Sequence, residues 1–160
     1  MKIPTFSGVI SVTITPFDKK GDINYEAWGK HLDFLLANDV HAIMPHGTTG
    51  EYYAQSIEER KEGLKFVAKH VGKRAHLYAG VNSARPIESV ELSKYAAELG
   101  YTSQMLAAPY YSLPSVAEHV EHFRYIARNT KLPIILYNFP ARTGVDMNKE
   151  FLEGRRPRAA

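Results

Sequence analysis

His41-Ala42-Ile43-Met44-Pro45-His46-Gly47-Thr48-Thr49-Gly50-Glu51 changes character halfway along. Its first residues read as a short buried strand, and its second half is a turn with two hydroxyls between glycines. A second stretch repeats the pattern: the apolar run Ile134 to Tyr137 passes into Asn138-Phe139-Pro140-Ala141-Arg142-Thr143-Gly144. Hydroxyls, a phenol and a guanidinium placed directly after such strands gather at one end of a sheet. That is where α/β enzymes keep their chemistry.

Outward from these stretches, strand-like and helix-like periods alternate with a repeat of roughly 30 residues. A first strand is expected within Gly8 to Thr15, broken by Pro16 and Gly21. A helix is expected from Asn24 to Asn38, with Trp28, Leu32, Leu35 and Leu36 on one face and Asn38 as a left-handed stop. After the Gly-Thr-Thr-Gly turn, Ser56-Ile57-Glu58-Glu59 spells a capping box, in which serine and Glu59 satisfy orphan amides reciprocally. The third strand spans His76 to Val81, and its helix carries Pro86 in the first turn and stops at Gly100. Gln104 to Ala108 is the fourth strand, ending in Pro109-Tyr110-Tyr111, although Thr102-Ser103-Gln104 is polar for a buried strand. Ser115-Val116-Ala117-Glu118 is a second capping box, and Asp146 is expected to cap a fifth helix over Met147 to Glu153.

Strictly alternating β and α units imply parallel strands with helices over the sheet. No Gly-x-Gly-x-x-Gly turn follows the first strand and no Walker-type lysine loop occurs, which argues against a nucleotide-binding doubly wound sheet. Polar clusters after several strands favour a barrel instead. The expected fold class is α/β, an incomplete (β/α)8 TIM barrel of about five βα units, since a full one needs about 250 residues and this chain has 160. Residues 1–154 read as that one domain and 155–160 as an atypical basic tail.

Composition narrows the function classes. The formal charge is +3, and Arg155, Arg156 and Arg158 account for it within an acid-free hexapeptide, so the body is neutral. A nucleic-acid partner is therefore not expected. There is no cysteine, which excludes disulfides and thiolate metal sites and fits a reducing cytoplasm. The N-terminal residues lack a signal-peptide pattern, and no run suits a membrane span, so no membrane association is expected.

Four motifs in register carry a resemblance. The opening Gly8-Val9-Ile10 with Thr15-Pro16-Phe17, the turn Gly47-Thr48-Thr49-Gly50-Glu51, the Pro109-Tyr110-Tyr111 corner and the Tyr137-to-Gly144 stretch are together similar to the dihydrodipicolinate synthase / N-acetylneuraminate lyase family. The similarity covers residues 4 to 153. It implies a pyruvate-dependent class I aldolase or lyase that uses no cofactor and no metal. A lysine forms a Schiff base with pyruvate or another 2-oxo acid, and the enamine attacks an aldehyde or is released from one. Thr48 resembles the hydroxyl that relays protons, Tyr137 the phenol that shuttles them, and Tyr111 the tyrosine inserted into a neighbouring subunit's site, so a homo-oligomer is implied for the full-length family. Thr49, with the backbone of Gly47 and its turn, resembles the pyruvate carboxylate site. Arg142 resembles the arginine that meets a carboxylate on the second substrate.

These roles agree with elementary chemistry. A phenol, with an ordinary pKa of about 10, needs a hydroxyl relay or a nearby cation to act near neutral pH. Arginine's planar fork suits a carboxylate. Three other readings stand beside the resemblance. The threonine pair as a plain turn and Arg142 as a structural ion pair are the secondary readings, whereas Tyr110 is read as packing in preference to chemistry. His46 reads as a hydrogen-bonded structural histidine, and His119 with His122 as an exposed helix face in preference to half a metal site.

Schiff-base chemistry needs a lysine in the pocket, and no lysine of this chain falls at the C-terminal end of an expected strand. In the family that lysine lies on a sixth strand. The expected function is therefore a 4-hydroxy-tetrahydrodipicolinate synthase-like condensation, with this polypeptide inactive alone. Two alternatives remain: a 2-keto-3-deoxy sugar acid or N-acetylneuraminate lyase, suggested by the bulky Tyr52-Tyr53, and a non-catalytic fragment.

Overall fold

The computed structural model describes residues 7–110 and 112–153, and over them five strands alternate with helices. The strands are β1 Ile10–Val12, β2 Ala42–Met44, β3 His76–Gly80, β4 Ser103–Ala107 and β5 Ile134–Tyr137. All pair in parallel, in the order β1-β2-β3-β4-β5. Strand order that never reverses leaves no switch point for a doubly wound sheet and is what a barrel requires. The fold is α/β, five βα units of the (β/α)8 TIM-barrel kind. Tyr111 and the basic tail over 155–160 lie outside the described residues.

Four long helices cross over the sheet: α1 Tyr25–Ala37, α2 Ile57–Val71, α3 Pro86–Glu98 and α4 Val116–Asn129. Their starts are written in the sequence. Both capping boxes form, Ser56 with Glu59 opening α2 and Ser115 with Glu118 opening α4. Pro86 occupies the first turn of α3, where its missing N–H costs nothing. Two further single turns, α5 Pro140–Thr143 and α6 Lys149–Leu152, come after β5.

Because side chains alternate along a strand, the sheet has two different faces. Ile43, Leu77, Ala79 and Leu106 point to the helices and join Trp28, Leu64, Leu92 and Ile126 in the main core. Ala42, Met44, Tyr78 and Met105 form a smaller cluster on the opposite, barrel-interior face, with Tyr137 packed against it. Among the described residues, no helix is long and apolar enough to cross a membrane.

Several expectations are corrected. Asn38 caps α1 at φ −109, outside the left-handed region; the left-handed residue is its neighbour Asp39, at φ 55. Asp146 does not cap the last helix. Asn148 does, accepting from the Phe151 amide at 3.1 Å, while Asp146 accepts from the Asn138 side chain at 2.8 Å. The polar start of β4 is compatible with burial because Gln104 donates to Thr130 Oγ1 and to the Leu132 carbonyl, both at 2.9 Å. That amide ties β4 to the approach to β5. His119 is fully buried, its ring within hydrogen-bond distance of the Ser115 and Pro109 carbonyls at 3.0 and 3.4 Å, so it is not on an exposed face. No cluster of three or more metal-ligating side chains occurs among the described residues.

Candidate active site

The chain enters the site from β2. Directly after it, His46 at φ 58 and Glu51 at φ 53 adopt left-handed backbone on either side of the Gly47-Thr48-Thr49-Gly50 turn. Left-handed non-glycine residues cost energy and cluster where a backbone is bent for a purpose. Gly47 lies against the Val12 side chain so closely that a Cβ there would collide with Cγ1. The turn is held by Thr15 Oγ1 and Gln55 Nε2, which both donate to the Gly50 carbonyl, at 2.8 and 2.6 Å. Within it, the Gly50 and Glu51 amides donate back to the Gly47 and Thr48 carbonyls at 3.0 and 3.1 Å. The Thr48 and Thr49 amides make no hydrogen bond among the described residues and stay available to an anion.

Under the turn, His46 has no exposed surface and neither ring nitrogen has a hydrogen-bond partner of good geometry among the described residues. The expected hydrogen-bonded histidine is thus corrected. Its ring packs edge-on to Trp28 with centroids 5.8 Å apart, and Gly63 of α2 makes room for it. Burial, with help from the nearby Arg60 charge, pushes its pKa down to about 3, so the ring is neutral. It does not line the cavity at the strand ends.

That cavity, of about 430 Å³, opens at the C-terminal ends of β2, β4 and β5. Thr48, Tyr137, Arg142 and Thr143 line it, together with Ala107 from the end of β4. The sequence motifs separated by nearly ninety positions therefore meet. Arg142 stands on α5, a single turn started by Pro140 and closed by Gly144 at φ 71, and it makes no ion pair among the described residues. Its alternative reading as a structural ion pair fails there. Thr49 is exposed on the same turn and does not line this cavity, and Gly47 is buried beneath it. Tyr111 falls outside the described residues.

Sequence reasoning missed Arg60 and noticed Tyr52 only as a bulky neighbour of Tyr53. Tyr52, from the 3₁₀ turn Tyr52–Ala54, lines the cavity beside Tyr53 and Tyr110. Burial first, and the Tyr110 phenol second, hold the Tyr52 hydroxyl above the usual phenol range. The guanidinium of Arg60 lies 5.3 Å over the Tyr52 ring and donates to the Asn82 and Gly80 carbonyls at 2.8 and 3.0 Å. Burial lowers its pKa to about 10, so it stays charged at neutral pH. Asn82 in turn accepts from the Ala107 amide at 2.5 Å, joining the ends of β3 and β4. In the sequence, Arg60 reads as one more charge on an amphipathic helix, with no local mark of its burial.

Parallel βα units in chain order, with a cavity at the C-terminal ends of the strands, define a protein of the TIM-barrel class. Within that class a model of the dihydrodipicolinate synthetase family matches residues 5–154, and the chain belongs to this family. It is 41% identical over 143 residues to the 4-hydroxy-tetrahydrodipicolinate synthase of Oceanobacillus iheyensis, covering 89% of this chain and 48% of that protein. To the Bacillus subtilis enzyme of the same name it is 37% identical over 145 residues, covering 91% and 50%. Among solved structures it is similar to dihydrodipicolinate synthase from Aquifex aeolicus, with a TM-score of 0.87 and 35% identity over 92% of this chain and 50% of that one. YagE, a prophage protein of the dihydrodipicolinic acid synthase family from E. coli K12 solved in complex with pyruvate, gives a TM-score of 0.88 and 30% identity, covering 95% and 52%. The chain spans about half the length of the curated relatives it matches.

Proposed function

We propose that this chain carries the proton-relay and carboxylate-binding side of a Schiff-base, pyruvate-dependent aldol reaction. One observation supports the reading above others: Thr48, Tyr137 and Arg142, which stand far apart in sequence, line one cavity at the C-terminal ends of the strands. In such a reaction an amine adds to the keto carbon of pyruvate and water leaves. Loss of a methyl proton gives an enamine, whose carbon attacks an aldehyde. Tyr137 then takes and returns protons at the reacting carbon, and Thr48 passes them on. The free amides of the turn suit the pyruvate carboxylate, that of Thr48 in the cavity lining and that of Thr49 beside it, and the Arg142 fork suits a carboxylate on the aldehyde.

No lysine lines this cavity among the described residues. Lys61, for instance, is paired with Glu91 on the helical surface. On this reading the amine is supplied from outside the described residues. The reaction type is a condensation, in keeping with the relatives' name of synthase. A second reading, cleavage of a sugar acid or of N-acetylneuraminate, draws on Tyr52 and Tyr53 at the same cavity. A homo-oligomer in which Tyr111 enters a neighbouring site belongs to the same proposal.

The test is borohydride reduction with pyruvate followed by intact mass, on the 160-residue chain and on a hybrid continued by the second half of the Oceanobacillus iheyensis relative. The expected result is a pyruvyl adduct in the hybrid only. In the hybrid, Tyr137→Phe should keep the adduct and lose about 10²-fold or more in turnover. A hybrid that traps no pyruvate sinks the reading, and an adduct on the shorter chain moves the nucleophile to one of its own lysines.

A further inference from the structure

The cavity holding Thr48, Tyr137 and Arg142 has mainly aromatic walls. Tyr52, Tyr53, Tyr110 and Phe139 join Tyr137 in its lining. Tyr52 and Tyr53 meet edge to face with centroids 5.7 Å apart, and Tyr137 meets Phe139 at 5.8 Å. Tyr52 is not free to swing away. The Arg60 guanidinium, only 3% exposed, lies on its ring and is itself pinned by two backbone carbonyls. Tyr53, by contrast, is 61% exposed and offers an uncovered ring.

Polar groups in the lining are single hydroxyls, four of them phenols at the edges of the rings, and one guanidinium. The Thr143 hydroxyl is spent on the Phe139 and Val145 carbonyls at 3.1 and 3.2 Å. Among the described residues, no carboxylate and no side-chain amide lines the cavity, and Arg142 is its cation. Lone hydroxyls offer a polyhydroxylated ligand single bonds, with no carboxylate or side-chain amide to grip its hydroxyls in pairs. A flat apolar body would gain ring contacts and lose little.

We infer that this aromatic wall selects a second substrate whose carboxylate is carried on a flat, apolar body, an aromatic or conjugated oxo acid, with Tyr53 as the specificity-determining residue and Arg142 as the carboxylate partner. The inference rests on the proposed function for the reaction itself, while the preference among ligands is a property of the wall.

Calorimetric titration of the chain with benzoate, succinate and gluconate tests it, since all three carry a carboxylate and differ in body. Benzoate should bind about tenfold more tightly than the other two, the scale of one aromatic pair. Tyr53→Ala should bring the three within about twofold of one another, a loss on that same scale, and Arg142→Gln should weaken all three alike. Equal affinities, tighter gluconate, or a benzoate preference that survives Tyr53→Ala overturns the inference. Pyruvate trapping in the hybrid separates the two claims. Trapping without a benzoate preference fails the wall alone, and a preference without trapping fails the reaction alone.

Discussion

At the scale of single residues, His46 is the group whose environment departs furthest from what its type suggests. Burial and Arg60 hold its pKa at about 3 in the folded chain, whereas an imidazole in an unfolded chain titrates at about 6.5. As pH falls, the unfolded state takes up the proton first. Stability that is fully present above about pH 6.5 is therefore withdrawn from there down through the folded value, by up to about 1.4 kcal/mol per pH unit. Urea midpoints followed by the emission of Trp28, the single tryptophan and the ring that His46 touches, should drop between about pH 7 and pH 5. In His46→Leu that part of the slope should vanish, and equal slopes in the two proteins would dismiss His46 as its source. The residue's position before the turn was legible in the sequence, but the lack of a well-aligned partner for its ring was not. Whether a ring nitrogen meets an acceptor depends on α2 and the 3₁₀ turn, which local sequence does not place. The same holds for Arg60, which lies on Tyr52 only because α2 packs beside the end of β3.

Among elements, α2 shows helix propensity yielding to packing. Gly63 sits in its middle, where alanine would be favoured by up to about 1 kcal/mol on propensity alone. A Cβ at that point would stand 2.6 Å from His46 Nε2 and 3.1 Å from Trp28 Cη2, both on buried rings. Overpacking a filled core costs about 1–3 kcal/mol, so Gly63→Ala should lower the unfolding free energy. A thermal melt that rises instead would show that α2 can shift outward without loss. Helix starts were the most readable elements, because a capping box is local chemistry: Ser56 with Glu59 and Ser115 with Glu118 lie three residues apart and need no tertiary partner. Helix ends were less readable. The left-handed residue after α1 is Asp39 and not Asn38, and α6 is capped by Asn148 because Asp146 is engaged by Asn138.

For the whole molecule, the open sheet governs behaviour. Among the described residues β1 pairs only with β2 and β5 only with β4, and Ile135 and Leu136 of β5 are 37% and 38% exposed. Unpaired strand edges with apolar side chains recruit other strands. Sedimentation velocity of the chain should show concentration-dependent association, and Leu136→Lys with Ile135→Lys should reduce it; a monomer across the whole concentration range would contradict this. The alternation of strand and helix, the two capping boxes and the grouping of hydroxyls, phenol and guanidinium after strands could all be read directly from the order of residues, because each rests on a period of two or 3.6 or on a contact a few residues long. The register between strands, the burial of His46 and His119, and the stacking of Arg60 on Tyr52 could not. Those depend on which strand edges and helix faces close against one another, and that is decided by the packing of side chains far apart in the chain.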